Sequence, residues 1–98
     1  MIIVTGSVRA RPEALDEVLR RSLEHVQRSR QEPGCLLHSV HQDVEDANRV
    51  VFVEHWSDMA VLLAHFEVAA SGAFMEALRG LAATAPTIEV YDAVALEL

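Results

Sequence analysis

The apolar residues of this chain switch between the two-residue period of a strand and the longer period of a helix, and back again. That succession restricts the fold more than any single motif. From Met1 to Arg9, Ile2, Val4 and Val8 alternate with Thr5 and Ser7, which gives a strand one apolar and one mildly polar face. Pro12 suits the first turn of a helix, where a missing N–H costs nothing. Leu15, Val18, Leu19, Leu23 and Val26 then recur at helical spacing through about Arg30. Glu13, Asp16 and Glu17 crowd the first turn, and Arg28 and Arg30 the last, as the helix dipole favours.

Glu32-Pro33-Gly34 ends that helix and turns the chain. Cys35 to Gln42 and Arg49 to Trp56 read as two strands joined by the polar segment Asp43–Asn48, a hairpin. Ser57 with Asp58 caps a short helix holding Ala60, Leu62, Leu63 and Phe66. A break is expected at Ala70-Ser71-Gly72, then a helix with Phe74, Leu78 and Leu81 that ends before Pro86. Thr87 to Leu98 reads as a last strand, with Ile88, Val90, Val94 and Leu96 on alternate positions.

The order β-α-β-β-α-α-β is a ferredoxin-like α+β arrangement: a four-stranded antiparallel sheet with helices on one face, its second helix split in two. A chain of 98 residues makes one domain, residues 1–98. Both faces of the first, third and fourth strands are largely apolar, so the face without helices needs a cover. A second copy of the chain is expected to supply it, giving a homodimer.

Charge and composition narrow the partners. Fifteen Asp and Glu oppose eight Arg and no Lys, for a net charge of -7. A nucleic-acid binder needs a basic stripe, and the one basic cluster (Arg20, Arg21, Arg28, Arg30) lies in an acid-rich helix, so nucleic acid is not expected. No apolar run reaches the ~20 residues that span a bilayer, and no basic region precedes an apolar stretch at the N-terminus, so no membrane partner and a cytoplasmic location are expected. The single cysteine, Cys35, excludes an internal disulfide and a multi-cysteine zinc site; among apolar neighbours it reads as a small buried hydrophobe.

Five histidines remain to be weighed. His38 and His41 are three apart on a strand and point to opposite faces, so they cannot share a metal. His41 and His55 could meet across the hairpin, but two imidazoles without a fixed carboxylate make a poor ligand set. His25 sits mid-helix among charges and reads as solvated. No spacing typical of a metal site, no nucleophile elbow and no phosphate loop is present, so neither a metal nor a nucleotide cofactor is expected. What is left is a cluster. Glu54 and Trp56 share a face of the third strand, His65 and Phe66 lie on the helix after it, Phe74 on the next helix, and Tyr91 on the last strand. Aromatic walls around one imidazole and one carboxylate have the character of a small-molecule site, with His65 as general base and Glu54 as its partner or a substrate ligand. The same residues also suit a filled core, with His65 satisfied by a backbone carbonyl, and residue types alone leave both uses open.

Glu32-Pro33-Gly34-Cys35-Leu36 opens a longer pattern that runs through Asp43, Asp46, Asn48-Arg49 and Val53-Glu54-His55-Trp56-Ser57 to Ala64-His65-Phe66. Taken together, over roughly residues 1 to 80, it resembles the antibiotic biosynthesis monooxygenase family of small dimeric α+β barrel proteins, which includes quinol monooxygenases. The resemblance implies a ferredoxin-like protomer whose sheet packs against that of a second copy. It implies cofactor-independent oxygenation of electron-rich aromatics (anthrones and quinols) by O2, with no metal, flavin or haem. Glu54, Trp56 and His65 match family positions and are expected in the pocket, with Phe66, Phe74 and Tyr91 as further walls. A non-catalytic ligand-binding or stress-associated module on the same fold, or an isomerase of the same family, is the alternative.

Overall fold

The computed structural model describes all 98 residues. Four strands, β1 (Ile2–Arg9), β2 (Cys35–Gln42), β3 (Arg49–Trp56) and β4 (Thr87–Asp92), form one antiparallel sheet in the order β2-β3-β1-β4. A short 3-10 turn at Pro12–Ala14 leads into α1 (Leu15–Ser29), and α2 (Met59–Glu67) and α3 (Ala69–Leu81) follow the hairpin. This is the ferredoxin-like α+β fold the periodicities predict. No single helix is long and apolar enough to cross a membrane.

Strand parity decides which residues reach the helices. In β3, Val50, Phe52, Glu54 and Trp56 are buried, while Val51, Val53 and His55 face the other way and are partly open. The β1 residues opposite the buried set are Val8, Gly6, Val4 and Ile2, so both central strands present alternate positions to the helical layer. In β2 a register shift between Cys35 and Leu37 leaves Leu36 as the extra residue. That bulge lets Cys35 and His38 both face the helices, although an odd spacing would separate them in a regular strand.

The core has two apolar parts. Val8, Val18, Val26, Val50, Phe52, Phe74 and Leu78 belong to one, and Ile2, Val4, Trp56 and Leu62 to the other. Between them, at the level of Glu54 on β3, lies a layer of buried polar side chains. Burying a side chain such as Leu62 stabilises by about 1.5–3 kcal/mol, so the apolar halves carry the fold and the polar layer interrupts it.

Three local expectations change. The helical break falls at Val68, whose extended backbone ends α2 and caps α3, and Ala70, Ser71 and Gly72 lie inside α3. The two helices meet there at 71°. Asp58 caps α2 by accepting from the Val61 N–H at 3.0 Å. The last strand stops at Asp92, and its pairing ends with Met1 and Ala93, which exchange backbone hydrogen bonds of 2.8 and 3.0 Å. Val94, Leu96 and Leu98 are accordingly exposed. His25 is buried rather than solvated: Val18, Ser22, His25, Val26 and Ser29 form the inner face of α1.

Candidate functional site

The polar layer is built from every element that touches it. His25 comes from α1, His38 from β2, Glu54 and Trp56 from β3, and His65 from α2; all five are buried. Trp56 is fully buried, so its indole N–H needs an acceptor, and the Glu54 carboxylate provides one at 2.9 Å. Oε1 of Glu54 also lies 3.3 Å from Nε2 of His38. Burial by itself would raise the Glu54 carboxyl, but the neighbouring His38, with Trp56 and His65, outweighs it and holds the group below its ordinary range. Glu54 is thus a buried, ionised carboxylate.

The turn after α1 supplies a second carboxylate. Gly34 takes φ +80°, and a Cβ there would come within 2.7 Å of Val61 and 2.8 Å of Ser57. Only glycine allows the chain to turn this tightly against α2. The turn carries Glu32 to His65, whose Nδ1 lies 3.0 and 3.1 Å from the two carboxylate oxygens. Arg28 braces Glu32 at 2.9 Å and also donates to Ser71 Oγ at 2.9 Å and to His25 Nδ1 at 3.1 Å. A guanidinium can only donate, so Nδ1 of His25 accepts and its ring proton sits on Nε2. Burial pushes His25 down to about 3, helped by His38, His65 and Arg28, and the ring stays neutral at any ordinary pH. It stacks on Phe74 with centroids 4.1 Å apart and planes 9° from parallel.

The three buried imidazoles converge. Ring centroids are 5.2 Å apart for His25 and His38, 5.3 Å for His25 and His65, and 5.6 Å for His38 and His65. The His65 ring is 4.7 Å from Trp56. Neither nitrogen of His38 makes a hydrogen bond of good geometry, although the ring is almost wholly buried. A buried polar group left in that state costs about 1–3 kcal/mol, so His38 is held there at the expense of stability.

Beside this layer, a small cleft of about 50 Å³, partly open to solvent, lies between α3 and strands β1, β3 and β4. Gly6, Phe52, Met75, Leu78 and Ile88 line it, and Glu54 is the one ionisable residue that reaches it. Gly6 matters because it has no side chain on the helix-facing side of β1.

The structure therefore brings together Glu54, Trp56, His65 and Phe74. Phe66 lies at their edge, 5.9 Å from the His65 ring and 43% exposed. Tyr91 stands apart: it pairs with Ile3, which points away from the helices, and its hydroxyl bonds Glu89 on the open face. His41 and His55 do not meet, because the register sets them opposite Val51 and Leu37. Sequence reasoning missed His25, His38 and Glu32. The helical spacing of His25 with Val18 and Val26 was a usable signal; the bulge that admits His38 left none. Cys35 is only partly buried.

Comparison with known proteins adds a family. The sequence profile of antibiotic biosynthesis monooxygenases matches residues 1–77. The chain is 31% identical over 90 residues to sll1783 of Synechocystis, an uncharacterized protein, covering 92% of this chain and 61% of that one. It thus spans about three-fifths of that relative's length. It is 32% identical over 69 residues to YcnE of Bacillus subtilis, provisionally named a monooxygenase, covering 70% of this chain and 73% of that one. A crystal structure from Deinococcus radiodurans, provisionally assigned as an antibiotic biosynthesis monooxygenase, superposes with a TM-score of 0.94 at 27% identity, covering 100% of this chain and 98% of the other.

Proposed function

The chain belongs to the antibiotic biosynthesis monooxygenase family, and on that premise we propose that it oxidises a small electron-rich aromatic of the quinol or anthrone class with O2. The observation that carries this reading is Glu54: an ionised carboxylate that reaches an otherwise apolar cleft on one side and the imidazole layer on the other. On this reading an aromatic ring packs from the open side of the cleft against Phe52, Met75 and Leu78, with its acidic hydroxyl or methylene toward Glu54. The imidazoles of His38 and His65 take up the proton, with Glu32 stabilising the cation that forms on His65.

The chemistry balances without a further reductant. An anthrone methylene loses two hydrogens and gains one oxygen atom as a carbonyl, while the second oxygen atom leaves as water. All four electrons come from the substrate. Once the substrate is an anion it reduces O2 itself, so the protein's work is to bind, deprotonate and exclude water. Such a reaction asks no resident cofactor of the protein. An isomerase of phosphorylated sugars would need a free arginine at the site, whereas Arg28 is already held by Glu32, Ser71 and His25.

Assembly is part of the reading. Ile3, Leu37, Val51, Val53 and Tyr91 form the sheet face that no helix covers, and a second copy of the chain is the proposed cover.

The test is oxygen consumption by EDTA-treated protein with reduced quinols and anthrones. Uptake that scales with protein and falls at least tenfold in Glu54→Gln and His65→Gln supports the reading. Uptake no faster than autoxidation across the panel, or unchanged in both variants, overturns it.

A further inference from the structure

We propose that His25, His38 and His65 form a binding site for one divalent transition-metal ion of the zinc type. One ring nitrogen from each lies within 4.8 Å of the other two. The point equidistant from three such atoms is at most about 2.8 Å from each if the triangle is near equilateral. Imidazole–zinc bonds are about 2.0–2.1 Å long, so closure asks each ring to move inward by about 0.7 Å or less, within reach of small side-chain rotations. The rings come from α1, β2 and α2, and all are buried.

Three features make this more than a chance meeting. The first is His38, whose Nδ1 has no hydrogen-bond partner although the ring is almost wholly buried. An unpartnered imidazole in a closed interior is a lone pair awaiting an acceptor. Second, two of the rings have carboxylates behind them: Glu32 on Nδ1 of His65, and Glu54 3.3 Å from Nε2 of His38. Each carboxylate can take the N–H of its ring and leave the other nitrogen as a donor to metal, the usual outer layer of a histidine-ligated ion. Third, the two negative charges of those carboxylates match the two positive charges of the ion, and the side chain of Arg28, 32% exposed, stays within reach of solvent.

Arg28 must give way, since it donates to Nδ1 of His25; it retains Glu32 and Ser71 as partners when it does. Three neutral nitrogens and no hard oxygen ligand suit zinc, nickel or copper and discriminate against magnesium and calcium. A water molecule at the same point would sit at hydrogen-bond distance without any ring moving, so the experiment has to separate ion from water. The site does not depend on the proposed oxygenase activity. If that activity holds, the ion occupies lone pairs needed for proton uptake, and the loaded protein turns over more slowly than the metal-free form.

Tag-free protein, stripped with EDTA, is titrated with Zn2+ and Mg2+ by calorimetry, and with Co2+ by visible absorption. One Zn2+ per chain, no Mg2+ binding and an intense low-coordinate Co2+ spectrum are expected. His38→Gln and His25→Gln should each weaken Zn2+ binding at least tenfold, and the surface His41→Gln should leave it unchanged. Absence of stoichiometric Zn2+ binding, or binding that His38→Gln leaves intact, overturns the proposal and leaves the point to water. Circular dichroism and melting of the metal-free variants check folding. Should His38→Gln or His25→Gln not fold, Glu32→Gln, which touches no ligand bond directly, must weaken Zn2+ binding or the proposal fails. Oxygen uptake by the stripped protein is read separately, so failure of one idea is distinguishable from failure of the other.

Discussion

Nδ1 of His65 lies nearly equidistant from both oxygens of Glu32, at 3.0 and 3.1 Å, although 33 residues separate the two in the chain. The pairing fixes the tautomer of a buried imidazole and supplies the countercharge when it takes a proton. Replacing His65 by Gln is expected to lower kcat/KM for oxygen uptake by about 10²–10⁴-fold, the range of a lost general base. Glu32→Gln should lower it less, by about tenfold, because the imidazole remains. Steady-state oxygen electrode measurements check both; an Glu32→Gln loss as large as that of His65→Gln would show that Glu32 does more than support the ring.

Gly6 leaves room in the cleft wall. A Cβ there would lie 3.1 Å from the Thr87 carbonyl oxygen and 4.0 Å from Cβ of Phe52. Gly6→Val should therefore raise KM for an aromatic substrate at least tenfold, with a stability loss of about 1–3 kcal/mol from the crowded strand pair. Denaturant melts and substrate titration separate the two effects.

Leu62 and Leu63 are neighbours on α2 with opposite surroundings: Leu62 is fully buried against Trp56, and Leu63 is 52% exposed. Leu62→Ala is expected to cost about 2–5 kcal/mol, since it opens a cavity beneath the indole. Leu63→Ala should stay within about 0.5 kcal/mol. Urea unfolding measures the difference; similar costs would mean that α2 is packed on the wrong face.

The open sheet face gives an assembly test. Val53 sits on it between Thr5 and Ser39 on the flanking strands. Val53→Glu would bury a charge in the proposed dimer and leave the helix-packed core untouched, so sedimentation should show a folded monomer where the unsubstituted chain is a dimer. An unsubstituted chain that sediments as a monomer would sink the dimer.

Cys35 offers a pH test. Burial, with Glu32 and Glu54 nearby, pushes its thiol above the ordinary range. The thiolate is the nucleophile, so at any pH below that raised value less of it is present than in a free thiol. Modification by a disulfide reagent should be slower than for a small thiol at pH 8, and its rate should rise at a higher pH than usual. Rapid labelling at neutral pH would contradict this.

Much of the fold was legible along the chain. The strand from Arg49 to Trp56 and the stop at Glu32-Pro33-Gly34 appear where apolar period and turn chemistry put them. The split between α2 and α3 was foreseen, but its position was not. Glycine and serine suggested Ala70-Ser71-Gly72, whereas Val68, with its extended backbone, is the hinge and both small residues are carried inside a helix. Packing of Ser71 toward Arg28 and His65 overrode local propensity there.

For the candidate site, strand parity puts Glu54 and Trp56 on one face, and the resemblance to the family singles out His65 with them; all three are buried. Element order, the antiparallel sheet and the shared face of Glu54 and Trp56 follow from local pattern, since each depends on residues a few places apart. That His25 and His38 join His65, that Glu32 backs it, and that Tyr91 lies on the other face emerge once the elements pack together. Those relations depend on a bulge at Leu36, on the strand register and on where α1 lands against α2. Such long-range placements are set by the packing of the whole core, and no local pattern along the chain encodes them.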